Sequence, residues 1–241
     1  MDILTYILLG VLALVLIVCL SIASFADSQL LEVFKETNNI MSSSFTVASD
    51  FSAMASRAFL DGGVKVGNKQ GFLTDAYSPR QKTIFLSEQV YNNSSVAALA
   101  IAGHEMGHAL QDKLKPQVLA KRTKLSKISK ILGYFMFPIT LLGVFFLIFY
   151  SESLVFCLSC FALALFFFCF ALFVKLLTIS IEKEASNNAI EMLRKLRVLE
   201  EDEIKHAKAL LKAALLTYIA DFLRSVLGWT MLTRKSKVFG G

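Results

Sequence analysis

The chain has 241 residues, of which 55% are hydrophobic and only 18% are charged, and it contains 21 phenylalanines. This composition excludes an ordinary soluble domain and predicts a membrane protein with a soluble portion of about 100–150 residues. The formal net charge of +6 is explained by membrane topology, because the basic residues cluster beside apolar segments. We therefore expect a lipid bilayer as a partner and no nucleic acid.

The first apolar segment runs from Ile3 to Ala23 and is long enough to cross about 30 Å of hydrocarbon. A secretory signal peptide is the alternative. The start at Met1-Asp2 lacks the basic region of a signal peptide, and the apolar stretch is long for one. Residues 1–26 are therefore predicted to be a retained transmembrane anchor with its N-terminus outside.

Residues 27–130 are predicted to form a water-soluble domain. Its first part contains two helix patterns, a short strand and a turn, at Ser28 to Asn39, Phe45 to Leu60, Val64 to Val66, and Ser78 to Arg80. A further helix is predicted from Ser95 to Leu110, a stretch rich in small residues. Asn93, Ser94 or Ser95 could cap this helix, since their side-chain oxygens accept hydrogen bonds from free N–H groups.

This last helix contains the sequence His104-Glu105-Met106-Gly107-His108, an H-E-x-x-H motif. In a helix the two histidines project from one face, one turn apart, and can bind a single zinc ion. Glu105 then lies beside the open coordination position. The motif predicts a zinc-activated water molecule with Glu105 as its general base, the chemistry of a metallopeptidase.

A strand is predicted just before this helix, at Lys82, Thr83, Ile84, Phe85 and Leu86. If the strand presents a free edge, a peptide substrate could add to it by backbone hydrogen bonds. An ordinary paired strand within a small sheet is the alternative.

Two further apolar segments, Ile131 to Tyr150 and Leu154 to Leu177, predict a transmembrane hairpin over residues 131–177. The segment from Lys113 to Lys130 is rich in lysine and precedes the hairpin, whereas its turn, Ser151 to Ser153, is not basic. The positive-inside rule therefore places both ends of the hairpin in the cytoplasm. Cys157-x-x-Cys160 lies within the third span, where small residues of a lipid-embedded helix are a simpler explanation than a redox or metal motif.

Residues 178–241 are predicted to be cytosolic helices. One helix continues to Arg197, another begins near Glu200, and the apolar stretch from His206 to Leu232 is interrupted by charges. A basic tail, Arg234 to Lys237, follows that stretch and would lie outside if it crossed the bilayer. An interfacial or domain helix is therefore favoured over a fourth span.

A catalytic zinc ion normally takes three protein ligands, and the third must lie outside the motif. The candidates are His206, Glu182 and Glu184. Glu182 shares its helical face with small and apolar residues such as Ala185, whereas Glu184 lies on a polar face. A ligand must point inward, so Glu182 is the better candidate, and Ser186, one turn later, could hydrogen-bond a ligand.

Two residues could stabilise the oxyanion of the reaction, His206 and, as a weaker candidate, Tyr218. Glu182 lies five residues beyond Leu177, which places it about 7–8 Å past the end of the third span. Zinc should then lie near the cytoplasmic membrane face. Substrates that approach along the membrane, including membrane proteins, become plausible.

These stretches resemble the bacterial membrane-bound neutral zinc metallopeptidases of the YugP-like family. The matching residues are Leu73-Thr74-Asp75 with Tyr77 and Pro79, Ile84-Phe85-Leu86-Ser87-Glu88 with Val90-Tyr91, His104 to Ala109, and Glu182 with Ala185-Ser186. The order of zinc motif, hairpin and glutamate is similar to that of HtpX-type membrane peptidases. The resemblance implies zinc at His104, His108 and Glu182, with Glu105 as the catalytic base.

The sequence thus predicts a mainly α membrane protein with three transmembrane helices, or four if the last helix also crosses, and a cytosolic zincin-like α+β metallopeptidase domain. The expected function is a zinc-dependent endopeptidase with one zinc ion per chain, in a bacterial cytoplasmic membrane, acting on peptides or proteins at the cytosolic face. A non-catalytic zinc-binding membrane scaffold or adaptor is the alternative, although a structural site would not need Glu105.

Overall fold

The computed structural model describes residues 3–150 and 154–226, which are mostly helical with one small sheet. In chain order the elements are α1 (Ile3–Asn38), α2 (Ala48–Phe59), β1 (Lys65–Lys69), β2 (Ala76–Ser78), β3 (Thr83–Ser87), α3 (Glu88–Tyr91), α4 (Val96–Leu114), α5 (Pro116–Phe149), α6 (Leu154–Lys195) and α7 (Glu201–Val226). They form two compact units, the first made of Met1–Pro116 with Ile179–Gly241 and the second of Gln117–Thr178.

The core of the first unit forms around α4, the predicted zinc helix. Every residue from Val96 to Gly107 is buried, as expected of a helix that is apolar or small on all sides. Of the three predicted caps, Ser95 takes the role, because its Oγ accepts from the N–H of Ala98 at 3.1 Å. The core side chains come from α1, α2, β3, α6 and α7, and include Leu30, Phe34, Phe51, Ile84, Leu86, Met192, Leu193 and Leu210.

The sheet has the strand order β1-β3-β2, with β1 parallel and β2 antiparallel to β3. The predicted strand therefore exists, but the expectation that Lys82 to Leu86 presents a free edge is wrong. Neighbours occupy both sides of β3: Thr83 pairs with Lys65 of β1 and with Ser78 of β2. The edges of the sheet are β1 and β2. Lys82 precedes β3 in a left-handed conformation, with φ 47°.

Helix α1 joins two elements that the sequence predicts separately, the N-terminal anchor and the amphipathic helix from Ser28 to Asn39. No glycine or proline lies between them, so nothing in the sequence ends the first helix. The later part of α1 packs against α7, where Ala26 meets Leu216 and Ala220. The end of the predicted segment from His206 to Leu232, and the basic tail after it, lie outside the described residues.

The second unit contains most of α5 and the first part of α6. Within the described residues, two helical segments are long and apolar enough to cross a membrane by length and composition, Pro116–Phe146 and Leu154–Lys195. The helices of this unit approach closely at Gly143, where a Cβ would lie 3.0 Å from that of Cys160. Cys160 and Cys157 are buried free cysteines, consistent with small residues inside a helix.

The boundary of this unit differs from the predicted one at residue 130. Most of the basic segment from Lys113 to Lys130 belongs to α5, which begins at Pro116 and runs without a break into the apolar span. The predicted turn from Ser151 to Ser153 lies outside the described residues.

Candidate metal centre

Helices α4 and α6 bring together the side chains of His104, His108 and Glu182. One potential ligand atom from each residue lies within 4.8 Å of the other two. Glu182 Oε2 is 3.2 Å from His104 Nε2 and 3.3 Å from His108 Nε2. His104 and Glu182 are almost fully buried, and His108 is slightly more accessible. The three residues predicted as zinc ligands therefore share one site.

Small residues allow the two helices to come this close. A Cβ at Gly107 would lie 2.2 Å from the backbone oxygen of Ala185 on α6, nearer than any real carbon contact. One turn earlier, a Cβ at Gly103 would lie 3.2 Å from the Cβ of Ala189. The glycine inside the H-E-x-x-H motif is thus required by the backbone of the helix that carries Glu182.

Ser186 fixes the orientation of His104. The Ser186 hydroxyl donates to the backbone oxygen of Glu182 at 3.0 Å, so its single proton is already used. Its Oγ lies 3.2 Å from His104 Nδ1 and must accept a hydrogen from that nitrogen. The neutral ring then has its lone pair on Nε2, the atom that faces Glu182.

Gln111 does the same for His108. The amide nitrogen of Gln111 donates to the backbone oxygen of Ile181 at 2.8 Å, which orients the amide oxygen toward His108. That oxygen lies 3.0 Å from His108 Nδ1 and accepts its hydrogen. The Nε2 atom of His108 is therefore also an acceptor in the neutral ring.

Three acceptor atoms consequently face one another at the centre of the site, and a cation between them would stabilise the arrangement. Burial alone would raise the pKa of Glu182, but when the two rings are protonated, their Nε2 hydrogen bonds and positive charge hold it below its usual range. Burial alone would lower the pKa of His108, but Glu182 outweighs this effect and the pKa is raised. A proton or a metal ion can supply the positive charge, and two imidazoles with one carboxylate are a donor set that zinc accepts.

Glu105 lies on another side of α4, facing β2. Its carboxylate is buried, and Oε2 accepts from the backbone N–H of Tyr77 at 2.7 Å. Oε1 is also buried and has no hydrogen-bond partner among the described residues. Burial raises the pKa of Glu105, and the neighbouring histidine charges offset this only in part. One carboxylate oxygen is thus held in place while the other is available to a proton.

Tyr77 is itself held by a buried carboxylate on α4. Its hydroxyl donates to Asp112 Oδ2 at 2.7 Å, and Lys82 Nζ donates to the same oxygen at 2.5 Å. Burial and the Asp112 charge both raise the pKa of Tyr77, so the phenol keeps its proton. Strand β2 is therefore hydrogen-bonded to two residues of α4, Asp112 and Glu105, and Glu105 is the candidate catalytic base.

The other predicted site residues lie elsewhere. Glu184 is half-buried and pairs with Lys115 at 2.7 Å, in line with the polar face predicted for it. His206 is exposed on α7 beside Asp202, and Tyr218 is half-buried further along α7. The described residues do not bring His206 into the cluster of potential ligands.

Two residues near the centre were not predicted as site residues, Gln111 and Tyr77. Gln111 follows His108 by nearly one turn, so helical spacing alone would have placed it beside that ring. Tyr77 acts mainly through its backbone N–H, and no sequence pattern indicates such a contact.

Comparisons with known proteins show the family of the chain. Residues 12–234 match the family described as "Putative neutral zinc metallopeptidase". The chain is 32% identical over 163 residues to a Bacillus subtilis (strain 168) protein named "Putative membrane protease YugP", covering 68% of each chain. No solved structure matches. The match spans nearly the whole chain and includes both helices of the candidate metal centre, and the chain therefore belongs to this neutral zinc metallopeptidase family.

Proposed function

We propose that this protein is a zinc-dependent endopeptidase of a bacterial cytoplasmic membrane, with its active site at the cytosolic face. The observation that carries the proposal is the pairing of two features: three converging acceptor atoms, and beside them a buried glutamate with one unpartnered oxygen. His104, His108 and Glu182 would hold one zinc ion per chain. Bound zinc would polarise a water molecule and the substrate carbonyl.

Glu105 would serve as the general base. Its Oε2 is held by Tyr77 N–H, so the side chain cannot swing away from the site. Its Oε1 would accept the proton released as water attacks the peptide carbonyl and would later deliver that proton to the leaving amine.

The topology of the chain supports a cytosolic active site close to the bilayer. Lysines precede the apolar part of α5, and the turn between the two apolar segments carries none. Glu182 follows the predicted third span by five residues on the same helix. We propose that substrates are peptides or proteins presented near the membrane surface, including membrane proteins.

A non-catalytic zinc-binding scaffold is the competing function. A closed structural zinc site has four protein ligands and no need of a base. Here three candidate ligands accompany a glutamate whose buried oxygen has no partner among the described residues, an arrangement with a cost in desolvation and no structural benefit.

The test is cleavage of a quenched peptide library by zinc-loaded protein in detergent or lipid, with Glu105→Gln as the control. The variant keeps the shape of the side chain and should bind zinc normally. We expect zinc-dependent cleavage by the wild type and a loss of at least about a hundredfold in the variant. Equal turnover by both proteins would show that Glu105 is not the general base. A zinc-loaded wild type that cleaves neither peptides nor membrane-protein substrates would favour the scaffold function.

A further inference from the structure

Gln111 is a buried residue on α4 whose side chain uses both ends of its amide. The oxygen accepts from His108 Nδ1 at 3.0 Å. The nitrogen donates to the backbone oxygen of Ile181 at 2.8 Å and lies 3.3 Å from Glu184 Oε2. Both partners of the nitrogen belong to α6. One amide therefore spans from a candidate ligand on the first helix to the backbone of the second.

The two α6 residues that contact Gln111 lie on either side of Glu182, the third candidate ligand, in the sequence. Ile181 comes directly before Glu182, and Glu184 comes two residues after it. A shift of this part of α6 along α4 would break the bond to Ile181 and move the Glu182 carboxylate away from the histidines. The amide thus ties His108 directly to the backbone next to Glu182.

The two histidines are supported in different ways. Ser186 belongs to α6; it accepts from His104 across the interface and donates to the backbone oxygen of Glu182 on its own helix. Gln111 belongs to α4, orients a ring on its own helix and donates across to α6. Both side chains therefore connect a histidine of α4 to the backbone of α6, Ser186 at Glu182 and Gln111 at Ile181.

A metal site needs this coupling because its ligands are far apart in sequence. Two candidate ligands lie on α4 and the third lies on α6, with the α5–α6 connection between them. Zinc–ligand distances in protein sites lie within about 0.2 Å of standard values, so the ligands must be held in place. Residues that hold ligands from behind typically contribute about 10–100-fold in metal affinity.

We propose that Gln111 is a positioning residue that fixes α4 against α6 and thereby sets the geometry of the zinc site. The inference rests on the proposed function only in requiring zinc at His104, His108 and Glu182. It makes no use of peptide cleavage.

The experiment measures zinc affinity of the full-length protein by chelator competition, together with the visible spectrum of the cobalt-substituted protein, which reports ligand geometry. Gln111→Leu removes both ends of the amide. The exchange Gln111→Glu with Glu184→Gln conserves net charge and keeps an acceptor for His108, but it supplies no donor at position 111 for Ile181. Ser186→Ala removes the support of the other histidine and serves as the matched comparison.

We expect Gln111→Leu to weaken zinc binding by about 10–100-fold and to alter the cobalt spectrum. The exchange variant should bind zinc nearly as weakly, because the link to Ile181 is lost although His108 keeps its acceptor. Circular dichroism of the metal-free proteins checks that each variant is folded. If Gln111→Leu does not fold, the exchange variant alone provides the test.

Wild-type affinity in Gln111→Leu would overturn the proposal. Wild-type affinity in the exchange variant would also overturn it, since Gln111 would then only orient His108. A wild-type protein that binds zinc but cleaves nothing would remove the proposed endopeptidase function and leave this inference intact.

Discussion

The two sides of α4 differ in how completely their polar groups are satisfied. On the side facing α6, both histidine Nδ1 atoms have partners, and the remaining acceptors of His104, His108 and Glu182 point toward a common centre. On the side facing β2, Glu105 has one oxygen bound to Tyr77 N–H and one with no partner among the described residues. One side could hold a cation, and in the proposed function the other side receives a proton.

In the proposed function, this difference separates metal binding from reaction within a single helix. The side of α4 that faces α6, here called the metal side, depends on close backbone packing, which leaves the candidate ligands little freedom to move. The base side, which faces β2, depends on a strand held by hydrogen bonds, and it leaves Glu105 Oε1 without a partner among the described residues, at a cost in desolvation. Substitutions on the first side should therefore impair metal binding, and substitutions on the second should impair turnover.

The largest effect is expected for Gly107→Ala on the metal side. The added methyl would lie 2.2 Å from the backbone oxygen of Ala185, so α4 and α6 would have to separate. We expect a loss of about 1–3 kcal/mol or more in stability and a loss of zinc binding. Thermal unfolding with and without zinc measures both effects.

Gly103→Ala is the matched control, one turn away on the same face. Its methyl would meet the Cβ of Ala189 at 3.2 Å, a contact that a small shift can relieve. Its effect should be clearly smaller. Equal effects of the two substitutions would show that the backbone contact at Gly107 is not special.

The next largest effect is expected for Glu182→Ala, which removes a predicted zinc ligand. Zinc affinity should fall by more than the roughly 10–100-fold typical of residues that support a ligand. Glu184→Ala is the control, because Glu184 pairs with Lys115 and has only a 3.3 Å contact with Gln111. Isothermal titration with zinc measures the affinity of both variants. A greater loss in Glu184→Ala than in Glu182→Ala would identify Glu184 as the ligand instead.

The sequence predicts the metal side better than the base side, for a physical reason. Helical periodicity relates His104 to His108 and distinguishes Glu182 from Glu184, because each comparison involves one helix. The family resemblance then relates the two helices. None of this depends on knowing how the strands pair.

The base side depends on contacts between segments that no local pattern relates. The Tyr77 N–H reaches Glu105 because β2 lies antiparallel to β3 at the edge of the sheet, and the sequence left open whether β3 was an edge strand or a paired strand. A short strand such as β2, with three residues, has too little periodicity to be recognised. For the same reason the sequence does not predict the role of Asp112. Its partners are Tyr77 in β2 and Lys82 just before β3.

A smaller effect is expected for Tyr77→Phe on the base side. The substitution removes the phenol bond to buried Asp112 but keeps the backbone N–H that holds Glu105. Stability should fall by about 1 kcal/mol, and turnover should fall while zinc affinity stays at the wild-type value. Chelator competition and peptide cleavage, measured on the same preparation, separate the two properties. A loss of zinc affinity as large as that in Gln111→Leu would contradict the division between the two sides.

The smallest effect is expected for Asp75→Asn, which probes burial of charge on the base side. Burial raises the pKa of Asp75, and hydrogen bonds from Ser87 offset this only in part. The folded state therefore holds the Asp75 proton more tightly than the unfolded state. Ionisation destabilises the fold progressively as the pH rises above the ordinary pKa of 3.8, until the raised pKa is passed.

Asn at this position can still accept from the Ser87 N–H, but it does not ionise. The melting temperature of Asp75→Asn minus that of the wild type should therefore increase between about pH 4 and pH 7, by a few degrees at most. Zinc affinity should remain unchanged, because Asp75 is not in the ligand cluster. A difference that stays flat or decreases with pH would mean that the Ser87 bonds outweigh burial, and the base side would then be less costly to fold than its buried carboxylates indicate.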